Sequence, residues 1–536
     1  MRRILALAGL VLGIGLAPVL TRATAGGPAA PQAEPANSGT VFPPDDAAPV
    51  PVPEPAAKAI RFYRSGNVLW CVRAVWELSV PALILFTGFS ARLRDWAERT
   101  GRSWLFSLVI YLVVFMAIKY LLEFPLTCYQ GFFRPHAYDL SNQSFGRWLG
   151  DSLKRLGVDT AGYAAFLWIP YWLTRRSPRR WWLYTWMAAT AATVFMVFIT
   201  PVWIDPLFNK FSPMKDKALE ADVLALAERA GIEGTRVYEV EKSADTKAVN
   251  AYVTGFMGTK RIVLWDTLIA KLDRRELLTV MGHEIGHYVL RHVLQGTLLS
   301  SVLTLLGLYV FYRVNGRLIG RFKAQFGFDR ISDIASWPFI LLFFTVGNFA
   351  LNPFILALSR HLEHEADRFA LEMTRDNHAD ATASVKLQIQ NLSVPRTGLM
   401  YKLWRSTHPS VGERIDFANT YRPWMKGEPV KYEHLFRPSK TKANSGTGDR
   451  EAVDHSPSPQ GTGPGEGKET TAPRSADVLA WRAGNAHMAV SRLVGIQHFQ
   501  PPALPEVSES RPVRGRIGFR KFELPLPFVI RHQDFS

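Results

Sequence analysis

The sequence predicts a mainly α-helical, multi-pass membrane protein of about six or seven spans that also carries a soluble domain. Three observations lead there. Six apolar segments, at 74–90, 104–123, 158–174, 181–203, 295–312 and 337–358, approach the ~20 residues that cross a bilayer core, and a seventh lies at the N-terminus. Trp104, Trp181, Trp182, Tyr312 and Trp337 stand near segment ends, where amphipathic rings favour the membrane–water interface. Two polar stretches with mixed charge, 205–294 and 359–425, break the apolar pattern. The chain has 536 residues, 48% of them hydrophobic, with 33 Phe and 16 Trp, which excludes disorder throughout. Only two cysteines, Cys71 and Cys128, exclude a disulfide scaffold.

In chain order, residues 1–25 join a basic start, Met1-Arg2-Arg3, to an apolar run over 4–20 and a small-residue site at Ala23-Thr24-Ala25. They read as a signal peptide or a first membrane helix. Residues 26–57 are a Pro/Ala-rich linker, and 58–204 hold membrane helices. In 205–294, residues 216–230 are amphipathic with a stop near Gly231, and 236–242 read as a strand. A hairpin over 250–268 turns at Gly258-Thr259. Residues 295–358 return to the membrane, and 359–425 are helical and polar. The last stretch, 441–536, is low-complexity and largely disordered by composition.

The formal charge of +17 could mean nucleic acid, an anionic surface or membrane topology. Position decides. The stretch 441–536 holds 12 basic and 10 acidic residues and contributes little. Short loops hold the charge instead: Arg92, Arg94, Arg99 and Arg102; then Arg175, Arg176, Arg179 and Arg180; then Arg313, Arg317, Arg321, Lys323 and Arg330. With alternating spans these loops share one side, which the positive-inside rule makes cytoplasmic, so both soluble stretches face the extracytoplasmic side. No soluble face gathers the basic residues, which argues for the lipid bilayer as a partner and against nucleic acid.

The chemistry begins at Asp273-Arg274-Arg275-Glu276, which has capping-box spacing and opens a helix containing His283-Glu284-Ile285-Gly286-His287. His283 and His287, four apart, project from one face and can bind one metal, with Glu284 beside them to take a proton from water. The other reading is a chance match to a short motif. A third ligand could come from His292, His361, Glu363, His364 or Glu365. His292 is rotated about 140° from the ligand face of a continuous helix and is set aside as a ligand. In Ser359–Asp367, Glu363 and Asp367 share a face and Arg360 lies one turn earlier, so Asp367 could accept the ring N–H of a metal-bound histidine. Spacing does not choose Glu363 over His364, and a charged helix beyond a membrane span would look similar.

Several separated motifs, in order, resemble one family. Asn250-Ala251-Tyr252, His283-Glu284-x-x-His287 followed by His292, Ser359-Arg360-x-x-Glu363-x-x-Ala366-Asp367, and His408-Pro409-Ser410 with Arg414 look like the integral-membrane CAAX prenyl endopeptidases of type I, as does Pro206–Phe211. The resemblance spans about 60–422. It implies a gluzincin-like zinc metallopeptidase domain on a multi-pass helical chamber, with one Zn2+ per chain held by His283, His287 and Glu363. Glu284 is then general base and later acid, Asp367 orients a ligand histidine, and His408 helps stabilise the oxyanion. Asn250 and Tyr252 would line the substrate cleft, with Arg414 as a nearby polar support. The substrate would be a peptide or protein, lipid-modified if the family's own substrates carry over. Lys247-Ala248-Val249 departs from the histidine and serines of the eukaryotic members. Those members face the cytosol with their catalytic domain, opposite to the side the basic loops give here.

The function these residues predict is therefore a zinc-dependent membrane endopeptidase. One alternative is a membrane-protein quality-control protease of the heat-shock type. Another is a non-enzymatic transporter or scaffold with an inactive metal motif, for which Arg73, Glu77, Lys119 and Glu123 would be charges inside spans. Their spacing of four makes local ion pairs the simpler expectation.

Overall fold

The computed structural model describes residues 48–254 and 261–437. The expectations for 1–25, for most of the linker, for the turn at Gly258-Thr259 and for 441–536 lie outside the described residues.

The membrane part begins with α1 (Ala57–Phe86), α2 (Phe89–Thr100), α3 (Trp104–Cys128), α4 (Phe145–Phe166), α5 (Trp168–Arg176) and α6 (Trp181–Ile199). Among the described residues five helical runs are long and apolar enough to cross a membrane: Ala57–Phe86, Trp104–Ala137, Trp181–Leu207, His292–Phe326 and Ile334–Thr374. Their apolar side chains face outward in a way no soluble fold tolerates, with Phe354 75% and Leu121 68% exposed. The first span starts well before 74, because Arg61, Arg64 and Arg73 mask a helix already formed at Ala57. The segment 158–174 is divided between α4 and α5 at Leu167. The break leaves α4 as the longer piece, and Arg147, Asp151, Lys154, Arg155 and Asp159 give it too much charge to be among the five. The charges within spans are local pairs, Arg73–Glu77 and Lys119–Glu123, each at 2.7 Å.

The three basic loops meet at one end. Arg94 pairs with Asp333, and Arg175 lies 4.4 Å over the Trp104 ring and donates to Ser332 O at 3.3 Å. The soluble elements lie at the other end of the spans. They are β1 (Phe211–Pro213), α7 (Lys217–Arg229), β2 (Arg236–Val240), β3 (Ala251–Thr254), β4 (Arg261–Trp265) and α8 (Arg274–Val289). Two long helices, α9 (His292–Phe326) and α10 (Trp337–Thr374), run to the basic end and back, and α11 (Asn377–Gln390) and α12 (Val411–Thr420) follow.

The sheet has the order β1-β2-β4-β3, with β2 parallel to β4 and the outer pairs antiparallel. The expected hairpin pairs Ala251 with Leu264 and Tyr252 with Val263, which leaves β3 at the sheet edge. Asp216 caps α7 by accepting from Ala218 N and Leu219 N. The capping box at α8 forms in both directions, Asp273 N donating to Glu276 Oε2 at 2.9 Å and Glu276 N to Asp273 Oδ1 at 3.0 Å. Arg275 then clamps the buried Asp376 through two bonds of 2.6 and 2.7 Å, tying the start of α8 to the cap of α11. One core joins sheet and helices: Val223, Val237, Ile262, Leu264, Leu278, Met281, Ile285 and Phe369 are all buried in it.

Nothing separates membrane from soluble parts at residue 358. Helix α10 continues without a break from the bilayer into the core beside α8. The end of the linker is also less solvated than its composition suggests. Asn419 exchanges two hydrogen bonds with the Val50 backbone at 2.9 and 2.8 Å, and Gln388 donates to Pro53 O at 3.0 Å.

The α8–α10 contact is backbone-close because α8 places glycines there. A Cβ at Gly282 would stand 3.3 Å from Ala370 Cα, and one at Gly286 would stand 3.0 Å from Phe369 Cδ1. A branched side chain at Gly286 must therefore push the helices apart. Gly286→Val is expected to destabilise the protein by about 1–3 kcal/mol, read as a lowered thermal midpoint in detergent. A wild-type midpoint would contradict this packing.

Candidate active site

Helices α8 and α10 bring three of the expected side chains together. His283 Nε2 lies 3.1 Å from His287 Nε2, and Glu363 Oε2 lies 3.2 Å from the first and 3.5 Å from the second. These three atoms form the one group of possible metal ligands found among the described residues, so Glu363 rather than His364 completes it. His364 instead packs its ring on Phe417 at 4.3 Å.

The hydrogen bonds around the trio fix where its lone pairs point. His283 Nδ1 faces Asp367 Oδ1 at 2.8 Å, and Asp367 also accepts from Arg414 Nη2 at 2.6 Å and Nε at 3.0 Å. A carboxylate held by arginine can only accept, so Nδ1 carries the hydrogen and Nε2 turns its lone pair toward Glu363. Glu363 is buried and its Oε2 finds no hydrogen-bond donor in proper geometry. Two imidazole nitrogens and a carboxylate oxygen thus converge on one point, and a cation there would satisfy all three. The edges of 3.1, 3.2 and 3.5 Å match the ~3.4 Å edge of a tetrahedron with ligand bonds of ~2.1 Å. With no metal counted, burial works to lower the basicity of His283, but Asp367 and Glu363 outweigh it and raise its pKa to about 10. The centre asks for positive charge from either a proton or a metal.

His287 has its own outer partner. Its Nδ1 lies 2.9 Å from Nδ1 of the buried His292. The helical-wheel argument that set His292 aside assumed one continuous helix. The chain leaves α8 after Val289 and turns through Arg291, at φ +57°, before α9 begins at His292. That left-handed residue returns the His292 ring to His287, a contact that no periodic pattern in the sequence signals.

Glu284 lies on the same helix beside the two histidines, and burial pushes its carboxyl above the usual range while both histidines pull it back. His408 reaches the trio from a loop, its Nε2 3.2 Å from Glu363 Oε2 and its side chain half-exposed. The residues before Glu363 hold that loop. Ser359 donates to Thr407 O at 2.8 Å, and Arg360 donates to Ser406 O at 2.8 Å and to Lys402 O. Arg360 therefore positions the His408 loop rather than the ligand carboxylate. Asn250 stands at the start of the edge strand β3, which packs against α8 and carries Tyr252. Arg414 sits behind Asp367, away from this strand, and its Nη2 comes within 3.5 Å of His283 Nδ1.

The sequence profile of Peptidase family M48 matches residues 213–422, and that of the CAAX prenyl protease N-terminal region, five membrane helices, matches 39–210. The uncharacterized metalloprotease YhfN of Bacillus subtilis is 35% identical over 366 residues, 68% of this chain and 86% of the relative. The chain belongs to peptidase family M48. CAAX prenyl protease 1 of Saccharomyces cerevisiae is 27% identical over 57% of this M48 peptidase and 70% of its own length, and the human homologue is 26% identical over 59% and 74%. The crystal structure of S. mikatae Ste24p shares the fold with a TM-score of 0.61 at 23% identity, covering 68% of this chain and 88% of that one. The protein is thus an integral-membrane metalloendopeptidase, and the reading as a transporter or scaffold falls away.

Asp367 is held between His283 and Arg414, so its effect should run through His283. Asp367→Ala is expected to weaken metal retention by about 10–100-fold in competition with a chelator. Unchanged retention would refute its orienting role.

Proposed function

We propose that this M48 peptidase holds one Zn2+ on His283, His287 and Glu363 and hydrolyses peptide bonds of membrane-associated substrates. The observation that carries the reading is the convergence of two imidazole Nε2 atoms and one buried carboxylate oxygen within 3.5 Å of one another. Two imidazoles and one carboxylate are a donor set that suits zinc and leaves a position open. When bound, the metal supplies a Lewis acid that polarises the scissile carbonyl and makes water more acidic.

The protein's own groups divide the remaining work. Glu284, its carboxyl raised by burial, takes the proton of the attacking water and returns it to the leaving amine. His408 Nε2 donates to the developing oxyanion, held in reach by Ser359 and Arg360. The open edge of β3 receives extended peptide as an added strand, with Asn250 and Tyr252 at its rim. Asp367 keeps the His283 ring in the tautomer that offers Nε2, and Arg414 keeps Asp367 ionised. Glu284→Gln should lower peptide hydrolysis by at least about 1,000-fold with the bound metal retained. Activity persisting in that variant would overturn the mechanism.

The catalytic end lies away from the three basic loops, which supports an extracytoplasmic active site. Reporter fusions in the 175–180 loop should score cytoplasmic and fusions near Lys215 external; the reverse pattern would overturn this orientation. The likeness to the yeast and human CAAX prenyl proteases extends the proposed substrate to a prenyl-modified peptide. Matched peptides with and without a farnesyl group test that extension, which holds only if the lipid raises kcat/KM.

A further inference from the structure

Two arginines outside the metal centre are buried without a counter-ion. Arg134, just beyond α3, is 2% exposed, and Arg405, just after the short helix Leu399–Trp404, is 9% exposed. They meet across α1. A Cβ placed on Gly66 would stand 3.2 Å from Arg134 Nη2 and 3.6 Å from Arg405 Nη2, so the two guanidiniums lie side by side over that glycine.

Their contacts are neutral. Arg134 Nη2 donates to Phe62 O at 2.8 Å and Ser65 Oγ at 3.3 Å, and its guanidinium lies 4.0 Å over the Phe62 ring. Arg405 Nη2 donates to Gly66 O at 3.4 Å and lies 4.6 Å over Tyr401. Among the described residues neither forms an ion pair. Nε of both, and Nη1 of Arg405, are buried donors with no partner. Ring faces offset part of the cost of two adjacent buried cations, but they leave those N–H groups unsatisfied. The missing partner is an anion with two acceptor oxygens, which a guanidinium fork binds in two-point fashion.

The position of the pair says which anion. Arg405 is three residues before His408, on the loop that Ser359 and Arg360 fasten to α10 one turn before Glu363. Arg405 therefore shares its support with the catalytic trio, three residues along the chain from His408. It is also covered by protein rather than facing lipid, which argues against a phospholipid headgroup. The one anion that every unmodified peptide carries is its terminal carboxylate.

We propose that Arg134 and Arg405 receive the free C-terminal carboxylate of the peptide substrate. This rests on the metallopeptidase reading given above, and it adds a specificity device that the zinc site lacks. Gly66 is part of the receptor, since any side chain there would fill the space shared by the guanidiniums.

The test uses the full-length protein and a peptide that the wild type cleaves, prepared with either a free C-terminal acid or a C-terminal carboxamide. The acid should be preferred on the order of 30- to 100-fold in kcat/KM, mostly through KM, as expected for loss of a charge-assisted bond to a desolvated partner. Arg405→Gln should bring the acid-to-amide ratio close to one. Arg405→Lys, which keeps the charge but not the fork, should give an intermediate ratio and serves where the Gln variant fails to fold. A wild-type ratio near one overturns the proposal whatever the variants do, and leaves proteolysis standing. So does an undiminished ratio in a zinc-retaining Arg405→Gln. Failure of the wild type to cleave any peptide of a mixed library, together with absence of bound zinc, would overturn the metallopeptidase reading itself.

Discussion

Helices α8 and α10 touch at Gly282 and Gly286, where a Cβ would crowd Ala370 and Phe369 at 3.3 and 3.0 Å. That separation governs the rest of the site. His283 and His287 come from one helix and Glu363 from the other, and their facing Nε2 and Oε2 atoms lie within 3.5 Å of one another where the backbones approach closely. Phe369 closes the contact from the core side, fully buried against Ile285 and Met281, so core packing and ligand spacing are one constraint. A metal centre built across two helices in this way inherits its precision from the core rather than from loops.

The same helix α10 is also a membrane span. Its N-terminal half exposes Phe354 and other apolar side chains to lipid, and its C-terminal half carries Glu363 and Asp367 into the soluble core. The depth of the site relative to the bilayer is thereby set by a single rigid element. Asp333, just before α10, pairs with Arg94 at the basic end, so the span is anchored at both extremes. The charge of this protein and its chemistry lie at opposite ends of one scaffold.

Much of this could be read from the residues alone. The His283–His287 spacing, the Asp273–Glu276 cap and the apolar segments each express a local rule, and local rules survive in sequence. The hairpin is legible for the same reason, with two short strand-like runs flanking Gly258-Thr259. What escaped was set by distance. Nothing near Arg360 shows that it holds the carbonyls of a loop more than forty residues away, and nothing near His292 shows that one left-handed residue folds it back onto His287. Spacing leaves Glu363 and His364 both open on a charged helical stretch; the family resemblance points to Glu363, and the neighbouring helix brings that carboxylate to the two histidines. The apolar segment at 74–90 marks only the second half of α1, because hydropathy reads arginine as a break although Arg61 and Arg64 sit in a helix already formed. Arg134 and Arg405 are 271 positions apart, and no pattern in either segment marks their meeting over Gly66.

The central claim is that three acceptor atoms from two helices share one cation. X-ray absorption at the zinc edge of the purified protein tests it most directly. The account predicts one zinc per chain with two imidazole nitrogens and carboxylate oxygen at about 2.0–2.2 Å. A protein that takes up no stoichiometric metal, or a spectrum requiring sulfur ligands, would contradict it.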